Sequence, residues 1–418
     1  MNLINSIRRE EKTRILFIGI VALVVRCIYW LAAPPANASD SWQFLLAAKN
    51  ILQGNFSFLF EYPFHALYSI LLVPRYLLPY GLRWYIPFLH ISLSVLSVVL
   101  LYLISRRITS DWRVQVLTGL VAIFYPYLLF WLPYVLTETA FFFFLLLFVY
   151  LLIIALRNPA VKTITLLGVA ALLLLFSRPV SLGILGVSAV IYMAVLMKRR
   201  FPRRWVMITG ALVIGGLVVL FAILSLPSVS QRVLRIPSIS QSLWLSTHIV
   251  AGTAEEWDLY TYLPPDVSMT IEDVWMYKSD FALNFIRTQP LEYLWMAARR
   301  FVNYWYPWLH LAQWSLRHRA FDALLSLGLT LMVIVGLRAA EDKKIATLMV
   351  GMALTLGLVT ALSQIDSDGR YRLPAEILLI PVASIGVIYC VQRLARIFRY
   401  RNMIESGPDL KQDDLPRI

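Results

Sequence analysis

A carboxylate and several arginines lie at the edges of long apolar runs, where their side chains could do chemistry. Asp40 follows the first apolar run, at the start of the segment SDSWQFLLAAKNILQGN. Arg26 lies inside that run, where a charged side chain costs at least ~2.5 kcal/mol at the centre of a bilayer. The polar segment SQIDSDGRYR, with Arg370 and Arg372, precedes the last apolar run. We expect the acid and the arginines to meet across the helices.

One reaction suits this combination, namely the transfer of a sugar from a lipid phosphate to a hydroxyl. The hydroxyl is a weak nucleophile and needs a base, while the departing phosphate needs cations. Because that phosphate is already a stable anion, no general acid is required. A single carboxylate opposite the arginines then favours in-line displacement with inversion, unlike the paired carboxylates of a hydrolase.

Composition places these residues in a membrane protein. Of the 418 residues, 59% are hydrophobic and only 15% are charged, and the mean hydropathy is +0.70. These values exclude a soluble globular domain. The net charge of +14 does not indicate nucleic-acid binding, because the basic residues lie beside apolar runs. Cys27 and Cys390 fall inside such runs and are interpreted as small core residues.

We predict an all-α polytopic fold with about ten transmembrane helices. The predicted spans are 14–33, 84–105, 114–132, 134–156, 162–177, 180–197, 205–226, 320–338, 345–363 and 373–391. If the spans alternate, six basic segments fall on one side, which marks that side and both termini as cytoplasmic. The transmembrane domain is expected to cover residues 1–400, followed by a polar cytoplasmic tail at 401–418.

Two long loops are expected on the outer side, at 34–83 and 227–319. In the first, apolar residues at helical spacing after Asp40 predict a short interfacial helix that stops at Gly54. The apolar stretch 64–81 is interpreted as interfacial or re-entrant, because counting it as a span would place the basic loops outside. The second loop is rich in Trp and Tyr, which favours a partly helical cap at the membrane surface.

Asp40 also has a purely structural interpretation. An Asp at a helix start with a Gln three residues later, here Gln43, resembles a capping box. In that case the carboxylate would accept hydrogen bonds from the first turn of the helix. The N-cap and the catalytic base are therefore alternative roles for the same side chain.

Several short motifs together resemble the GT-C glycosyltransferases. The first is an Arg-containing span followed by D-S-W-Q-F-L-L-A-A, G-N and Y-P-F-H-A-L-Y. The others are P-Y-L-L-F-W-L-P-Y-V-L-T-E-T, S-R-P at 177–179 and R-Y-R-L-P at 370–374. The chain is most similar to the protein O-mannosyltransferases and the lipid A aminoarabinose transferases. The resemblance covers most of residues 15–391.

The resemblance implies a GT-C-like bundle, a polyprenyl-phosphate-linked sugar donor and a site on the extracytoplasmic face of a plasma membrane. It implies that Asp40 is the catalytic base and that Arg370, Tyr371 and Arg372 line the site for the donor phosphate. Further candidates for substrate contact each have a plainer alternative. Arg26 could simply be paired within the span, and Glu138 could be an acid that the dipole favours in the first turn of a helix. Arg178 could snorkel to the headgroups, and His65 could be an interfacial packing residue.

One departure from the family bears on cofactors. Many members carry two adjacent acids in the first loop, whereas here the second position is Ser41. A lone carboxylate is a poor site for a hard cation, so no cofactor and no metal site is predicted. Asp366 or Asp368 could supply a ligand to a divalent cation, although S-D-G is first a turn signal. The expected partners are the lipid-linked donor, a lipid, glycan or protein acceptor, and membrane lipids.

Two rival functions remain open from the sequence. A transporter or flippase of a lipid-linked or anionic substrate would also place arginines among its spans. Transporters, however, usually hold their polar residues near the midplane and show two related halves, neither of which is visible here. A non-catalytic relative that binds lipid-linked sugars is the third interpretation, which the absence of the second acid leaves open.

Overall fold

The protein is described by a computed structural model. It covers residues 2–33, 40–57, 63–77, 84–198, 271–305, 316–363 and 369–405. These residues are helical, and no strand occurs among them. The predicted span at 205–226, most of the second outer loop and the tail beyond residue 405 lie outside the described residues. The two helices described in that loop agree with the prediction of a partly helical cap.

The described residues form fourteen α-helices. In chain order they are α1 (Asn2–Ala32), α2 (Ser41–Leu52), α3 (Ala66–Leu72), α4 (Tyr85–Ile108), α5 (Trp112–Phe124), α6 (Pro126–Phe130), α7 (Glu138–Arg157), α8 (Val161–Leu175), α9 (Ser181–Lys198), α10 (Ile271–Thr288), α11 (Pro290–Trp305), α12 (Leu316–Ala339), α13 (Lys343–Ser363) and α14 (Gly369–Glu405). Short 3₁₀ turns at Pro63–His65 and Val73–Tyr76 flank α3. The motif RYRLP therefore forms the first turns of α14.

Within the described ranges, five helices are long and apolar enough to cross a membrane, which indicates an all-α membrane protein. They are Glu10–Ala32, Tyr85–Ile108, Glu138–Arg157, Lys343–Ser363 and Tyr371–Arg399. Four shorter apolar helices occur at Trp112–Phe124, Val161–Leu175, Ser181–Met193 and Ala323–Ala339. Since α4, α7, α13 and α14 are buried over most of their apolar lengths, they form the centre of the bundle. The number of ten spans stays a prediction.

The predicted span 114–132 is wrong as a single helix, because the chain breaks at Pro126. Tyr125 is extended, with φ −63° and ψ 116°, and it separates α5 from α6. A residue before proline is pushed out of the helical region, and proline has no N–H to donate to the preceding turn. The break turns the side chain of Tyr125 toward the centre of the bundle.

The segment that the sequence predicts as the first outer loop contains two short helices that pack on each other. The helix after Asp40 ends at Leu52, and Gly54 has φ +82°, so the predicted stop is confirmed. Within the apolar stretch 64–81, the described part is α3 between its two 3₁₀ turns. A helix of seven residues is far too short to span a bilayer, as expected from the charges of the later loops.

Helices α12 and α14 make the closest contact in the bundle through glycines. A Cβ atom added at Gly336 would clash with the carbonyl oxygen of Val382. One added at Gly386 would clash in the same way with the carbonyl of Met332. Small residues at facing positions let two backbones approach closely, which is a common basis of helix packing in membranes.

At one end of the bundle, the loops between helices are joined by exposed or half-buried polar groups. We call this the Glu341 end. The Glu341 carboxylate accepts hydrogen bonds from the Thr109 hydroxyl at 2.8 Å and from the Ser110 backbone N–H at 2.8 Å. Arg157, at the end of α7, pairs with Asp342 at 2.8 Å. These contacts connect three loops on the same side of the bundle.

Candidate active site

At the opposite end of the bundle, the side chain of Arg178 lies among residues from α7 and α14. We call this the Arg178 end. Its Nη1 atom is 3.2 Å from Oε1 of Glu138, and both side chains are buried. Its guanidinium carbon lies 5.3 Å from the ring centroid of Tyr371 and 5.7 Å from that of Phe141. Residues predicted from three separate motifs therefore meet here. Because Arg178 is buried in an ion pair, snorkelling to the headgroups does not describe it.

A second buried ion pair lies within α14. The Nε atom of Arg372 is 2.6 Å from Oε1 of Glu376, one helical turn later. The other carboxylate oxygen accepts a hydrogen bond from the Tyr125 hydroxyl, at 2.6 Å. The guanidinium carbon of Arg372 is 6.0 Å from the centroid of the Tyr127 ring. The break at Pro126 thus provides two aromatic side chains that contact this pair.

Tyr304 of α11 joins the two ion pairs. Its hydroxyl donates to the backbone carbonyl of Tyr371, at 3.0 Å. Burial raises the pKa of Tyr304, the charge of Glu376 raises it further, and Arg372 and Arg178 act in the opposite direction. Tyr304 therefore stays protonated and lies within electrostatic reach of both pairs.

The first outer loop is attached to the same end of the bundle. The Leu67 backbone N–H donates to the carbonyl of Phe176, two residues before Arg178, at 3.2 Å. The Tyr68 hydroxyl is 2.9 Å from Nε2 of His90, whose Nδ1 is 2.9 Å from the carbonyl of Leu132. Since Nδ1 can only donate to a carbonyl, Nε2 accepts from Tyr68. Burial raises the pKa of Tyr68 and the charge of Glu138 adds to this effect.

His65 lies in an aromatic cluster that connects the two short helices of this loop. Its ring centroid is 5.7 Å from that of Phe44 in α2. Phe44 in turn packs edge-on against Tyr68 of α3, at 5.3 Å. These contacts agree with the packing role considered for His65. They also fix α2, and with it the position of Asp40, relative to α3.

Asp40 immediately precedes α2 and is half-buried. Its backbone carbonyl accepts a hydrogen bond from the Gln43 N–H at 3.1 Å, but its side chain makes no capping hydrogen bond. The capping-box interpretation is therefore wrong. The physical reason is that Asp40 has helical dihedral angles, φ −87° and ψ −12°, whereas a capping residue is usually extended. The helix terminus therefore does not account for the carboxylate.

Arg26 is completely buried in α1 and makes hydrogen bonds to two other helices. Its Nε donates to the Ser94 hydroxyl at 2.8 Å, and its terminal nitrogens donate to the carbonyls of Ala122 and Ile123, both at 3.2 Å. These carbonyls lie at the end of α5, next to the break at Pro126. The described contacts of Arg26 are thus structural, and its place in the donor site stays a prediction.

The side chains of several other predicted site residues lie outside the described part of the chain. Arg370 lies in the first turn of α14, but its side chain is outside the described part of the chain, as are Asp366 and Asp368. Among the described residues, no group of three His, Cys, Asp or Glu side chains could hold a metal ion. The divalent cation considered from the sequence therefore stays untested.

Sequence reasoning missed Glu376, Tyr125, Tyr304 and His90. A signal for Glu376 was present, because an acid inside a predicted span is by default functional or paired. The partner of that acid, Arg372, is one helical turn away in the same motif. His90, inside the predicted span 84–105, gave a comparable signal. Tyrosines near apolar runs are too common at membrane interfaces to have given one.

The fold and this cluster define an all-α membrane protein with two buried ion pairs at one end of its helix bundle. No protein-family model matches the chain. A comparison with characterised proteins finds no significant relative either. The residues of the cluster themselves therefore carry the functional interpretation.

Proposed function

We propose that the protein is a multi-pass membrane glycosyltransferase of the GT-C type. It moves a sugar from a polyprenyl-phosphate donor to an acceptor hydroxyl on the extracytoplasmic face, with inversion. The observation that supports this most is that Arg178 contacts Glu138 and Tyr371 at one end of the bundle, where the next residue, Arg372, forms a second buried ion pair. An anionic leaving group is what such cations favour.

In the proposed reaction, Asp40 takes the proton of the acceptor hydroxyl. The hydroxyl oxygen then forms a bond to the anomeric carbon, and the bond from that carbon to the phosphate oxygen breaks. The electron pair of the broken bond goes to the polyprenyl phosphate, which leaves as an anion. Arg178 and Arg372 stabilise the negative charge that develops on this phosphate.

The two acids of the cluster have a separate role from Asp40. Glu138 holds Arg178 in place through an ion pair, so it is not the base in this scheme. Glu376 similarly pairs with Arg372. Breaking such a pair leaves an uncompensated buried charge, which is strongly destabilising. Proton transfer is therefore assigned to the half-buried carboxylate of Asp40.

The proposed orientation places the Arg178 end outside and both termini in the cytoplasm. Support comes from the basic residues at the Glu341 end, where Arg106, Arg107 and Arg157 lie in the last turns of helices α4 and α7. Loops with an excess of Lys and Arg remain on the cytoplasmic side of a membrane. The lipid tail of the donor would then lie between helices in the outer leaflet.

The proposal is tested by Asp40→Asn in the full-length protein, purified in detergent and supplied with a panel of polyprenyl-phosphate sugars. The amide keeps the shape of the side chain but cannot take the proton, so we expect kcat to fall about 10²- to 10⁴-fold. Asp280→Asn is the control, because Asp280 is an exposed acid of α10. Full turnover by a folded Asp40→Asn variant would remove Asp40 from this role.

The same protein in sealed vesicles discriminates the transporter. A labelled sugar that crosses the membrane while no glycosidic bond forms would favour transport over transfer. Under the proposed function, release of polyprenyl phosphate accompanies every sugar transferred. The two measurements together separate the functions even while the natural acceptor is unidentified.

A further inference from the structure

Glu376 and Arg372 form a pair whose geometry constrains the arginine. They lie one helical turn apart on α14, and their side chains are 2% and 1% exposed. The Oε1 atom of Glu376 lies 2.6 Å from Nε of Arg372, which is an ion-pair distance. A buried ion pair is weak evidence for stability, because desolvation offsets much of the attraction. We therefore consider what the pair does to the orientation of the guanidinium and not what it adds to stability.

Glu376 is itself held by a second group from another helix. The hydroxyl of Tyr125 donates to Oε2 at 2.6 Å, while Oε1 faces Arg372. Both oxygens of the carboxylate are thus engaged, and the side chain has a single orientation. Tyr125 owes its own position to the break that Pro126 introduces after α5.

The consequence for Arg372 follows from the shape of guanidinium. The group is planar, so a carboxylate held beside Nε favours one orientation of the plane and of the two terminal nitrogens. Those nitrogens form the edge that binds two oxygens of a phosphate at once. Misorientation of that edge would weaken a bidentate contact even though the charge remained.

We propose that Glu376, held by Tyr125, is a positioning residue that orients the Arg372 guanidinium toward the phosphate of a lipid donor. The inference rests on the proposed function for the ligand of Arg372. It differs from simple charge compensation, in which Glu376 would only neutralise a buried cation. Position and charge are separable by substitution.

The separation uses two replacements of Glu376. Glu376→Gln removes the negative charge but keeps an oxygen beside Nε, so Arg372 stays oriented and its field toward an anion becomes stronger. Glu376→Ala removes the charge and the acceptor together, which frees the guanidinium to turn. Positioning predicts opposite results for these two variants, whereas charge compensation predicts the same direction for both.

The experiment measures equilibrium binding to the purified full-length protein in detergent micelles. The probes are a polyprenyl phosphate and the polyprenyl alcohol of the same chain length, and the readout is the ratio of the two affinities. We expect Glu376→Ala to lower this ratio about tenfold, and Tyr125→Phe about threefold to tenfold, by loss of hydrogen bonds to charged groups. Glu376→Gln is expected at or above the ratio of the unsubstituted protein.

Tyr102→Phe is the matched control for Tyr125→Phe. Tyr102 is also buried and hydrogen-bonded, to Gln115, but it lies toward the Glu341 end of α4. Its removal should leave the ratio unchanged. Tyr125→Phe deletes a single hydroxyl, so it keeps the inference testable if Glu376→Ala does not fold.

Failure of this inference and failure of the proposed function give different results. If Arg372→Gln abolishes the preference for phosphate while Glu376→Ala and Tyr125→Phe keep it, Glu376 does not position Arg372 and the inference is overturned. Equal loss in Glu376→Gln and Glu376→Ala would also overturn it. If the unsubstituted protein binds both lipids equally, the donor itself is wrong and the proposed function falls.

Discussion

Arg26 supports a sharp prediction because its partners are carbonyl groups that proline leaves without donors. In an uninterrupted helix, the carbonyl of Ala122 would accept from the N–H of residue 126, and proline has none. The carbonyls of Ala122 and Ile123 both accept from Arg26 instead, at 3.2 Å. An arginine inside the first apolar run therefore caps a broken helix that lies almost a hundred residues later.

The loss of stability expected on replacing Arg26 follows from the groups that lose a hydrogen-bond partner. Arg26→Met keeps much of the side-chain volume but removes all the donors, including the one to Ser94. Each buried acceptor left unsatisfied costs ~1–3 kcal/mol, and the two carbonyls dominate. We therefore expect Arg26→Met to lower the free energy of unfolding by ~2–5 kcal/mol, since part of the cost of burying the charge is recovered.

The assay is thermal or denaturant unfolding of the full-length protein in detergent, followed by circular dichroism. A double-mutant cycle with Pro126→Ala tests the cause, because alanine restores an N–H that can reach the carbonyl of Ala122. In that background, Arg26→Met should cost about 1–2 kcal/mol less than it does alone. Strict additivity of the two substitutions would refute the explanation.

Two serines of α4 provide a matched control. Ser94 accepts a hydrogen bond from Arg26, whereas the Ser97 hydroxyl bonds only to a carbonyl of its own helix, that of Leu93. Both are almost completely buried. Ser94→Ala should therefore destabilise the protein measurably more than Ser97→Ala, although less than Arg26→Met does. An equal effect of the two serines would show that the guanidinium is not held at Nε.

Two further predictions concern stability elsewhere. Gly336→Ala forces a clash with the backbone of α14 and should lower the free energy of unfolding by ~1–3 kcal/mol or more, as measured by thermal unfolding. Gly351→Ala is the control, because a Cβ atom there meets open space, and it should be neutral or slightly stabilising. An equal effect of the two substitutions would contradict the close packing. Burial raises the pKa of Glu341, but hydrogen bonds from Ser110 and Thr109 outweigh it and lower the pKa below its ordinary 4.5. Because the pKa of Glu341 is lower in the folded state, its contribution to stability is present above pH 4.5 and is lost as the pH falls through the folded value. Glu341→Gln should therefore lower the free energy of unfolding at pH 7, and the difference from the unsubstituted protein should vanish in acid. A difference in the free energy of unfolding that stays constant across this pH range would contradict the prediction.

The sequence predicted local features well because they depend on neighbouring residues. The helix after Asp40 and its stop at Gly54 follow from apolar spacing and the special backbone freedom of glycine. The break at Pro126 was equally visible, and the prediction of a single span there gave too little weight to proline. Length and hydropathy favoured one helix, whereas the backbone chemistry of one residue decided the outcome.

The contacts of the candidate site could be predicted only in part. Arg178 and Tyr371 come from motifs far apart in the chain, and no pattern within either motif specifies that their side chains meet. The resemblance supplied the expectation that they share a site. It did not supply Glu376 or the hydroxyl of Tyr125, because such partners depend on how α5 and α14 pack. The interpretation of Asp40 as a helix cap failed for a similar reason, since its dihedral angles depend on the chain around it.

The distribution of ion pairs separates the two ends of the molecule. At the Glu341 end, Arg157 and Asp342 form a pair with side chains 42% and 32% exposed, which is the ordinary situation of a surface pair. At the Arg178 end, both ion pairs have side chains no more than 9% exposed. Burial of a charge costs several kcal/mol even when it is paired, so stability alone does not explain why two pairs are buried side by side. The proposed binding of a phosphate at this end would account for it, because guanidinium groups attract a phosphate far more strongly where water is excluded.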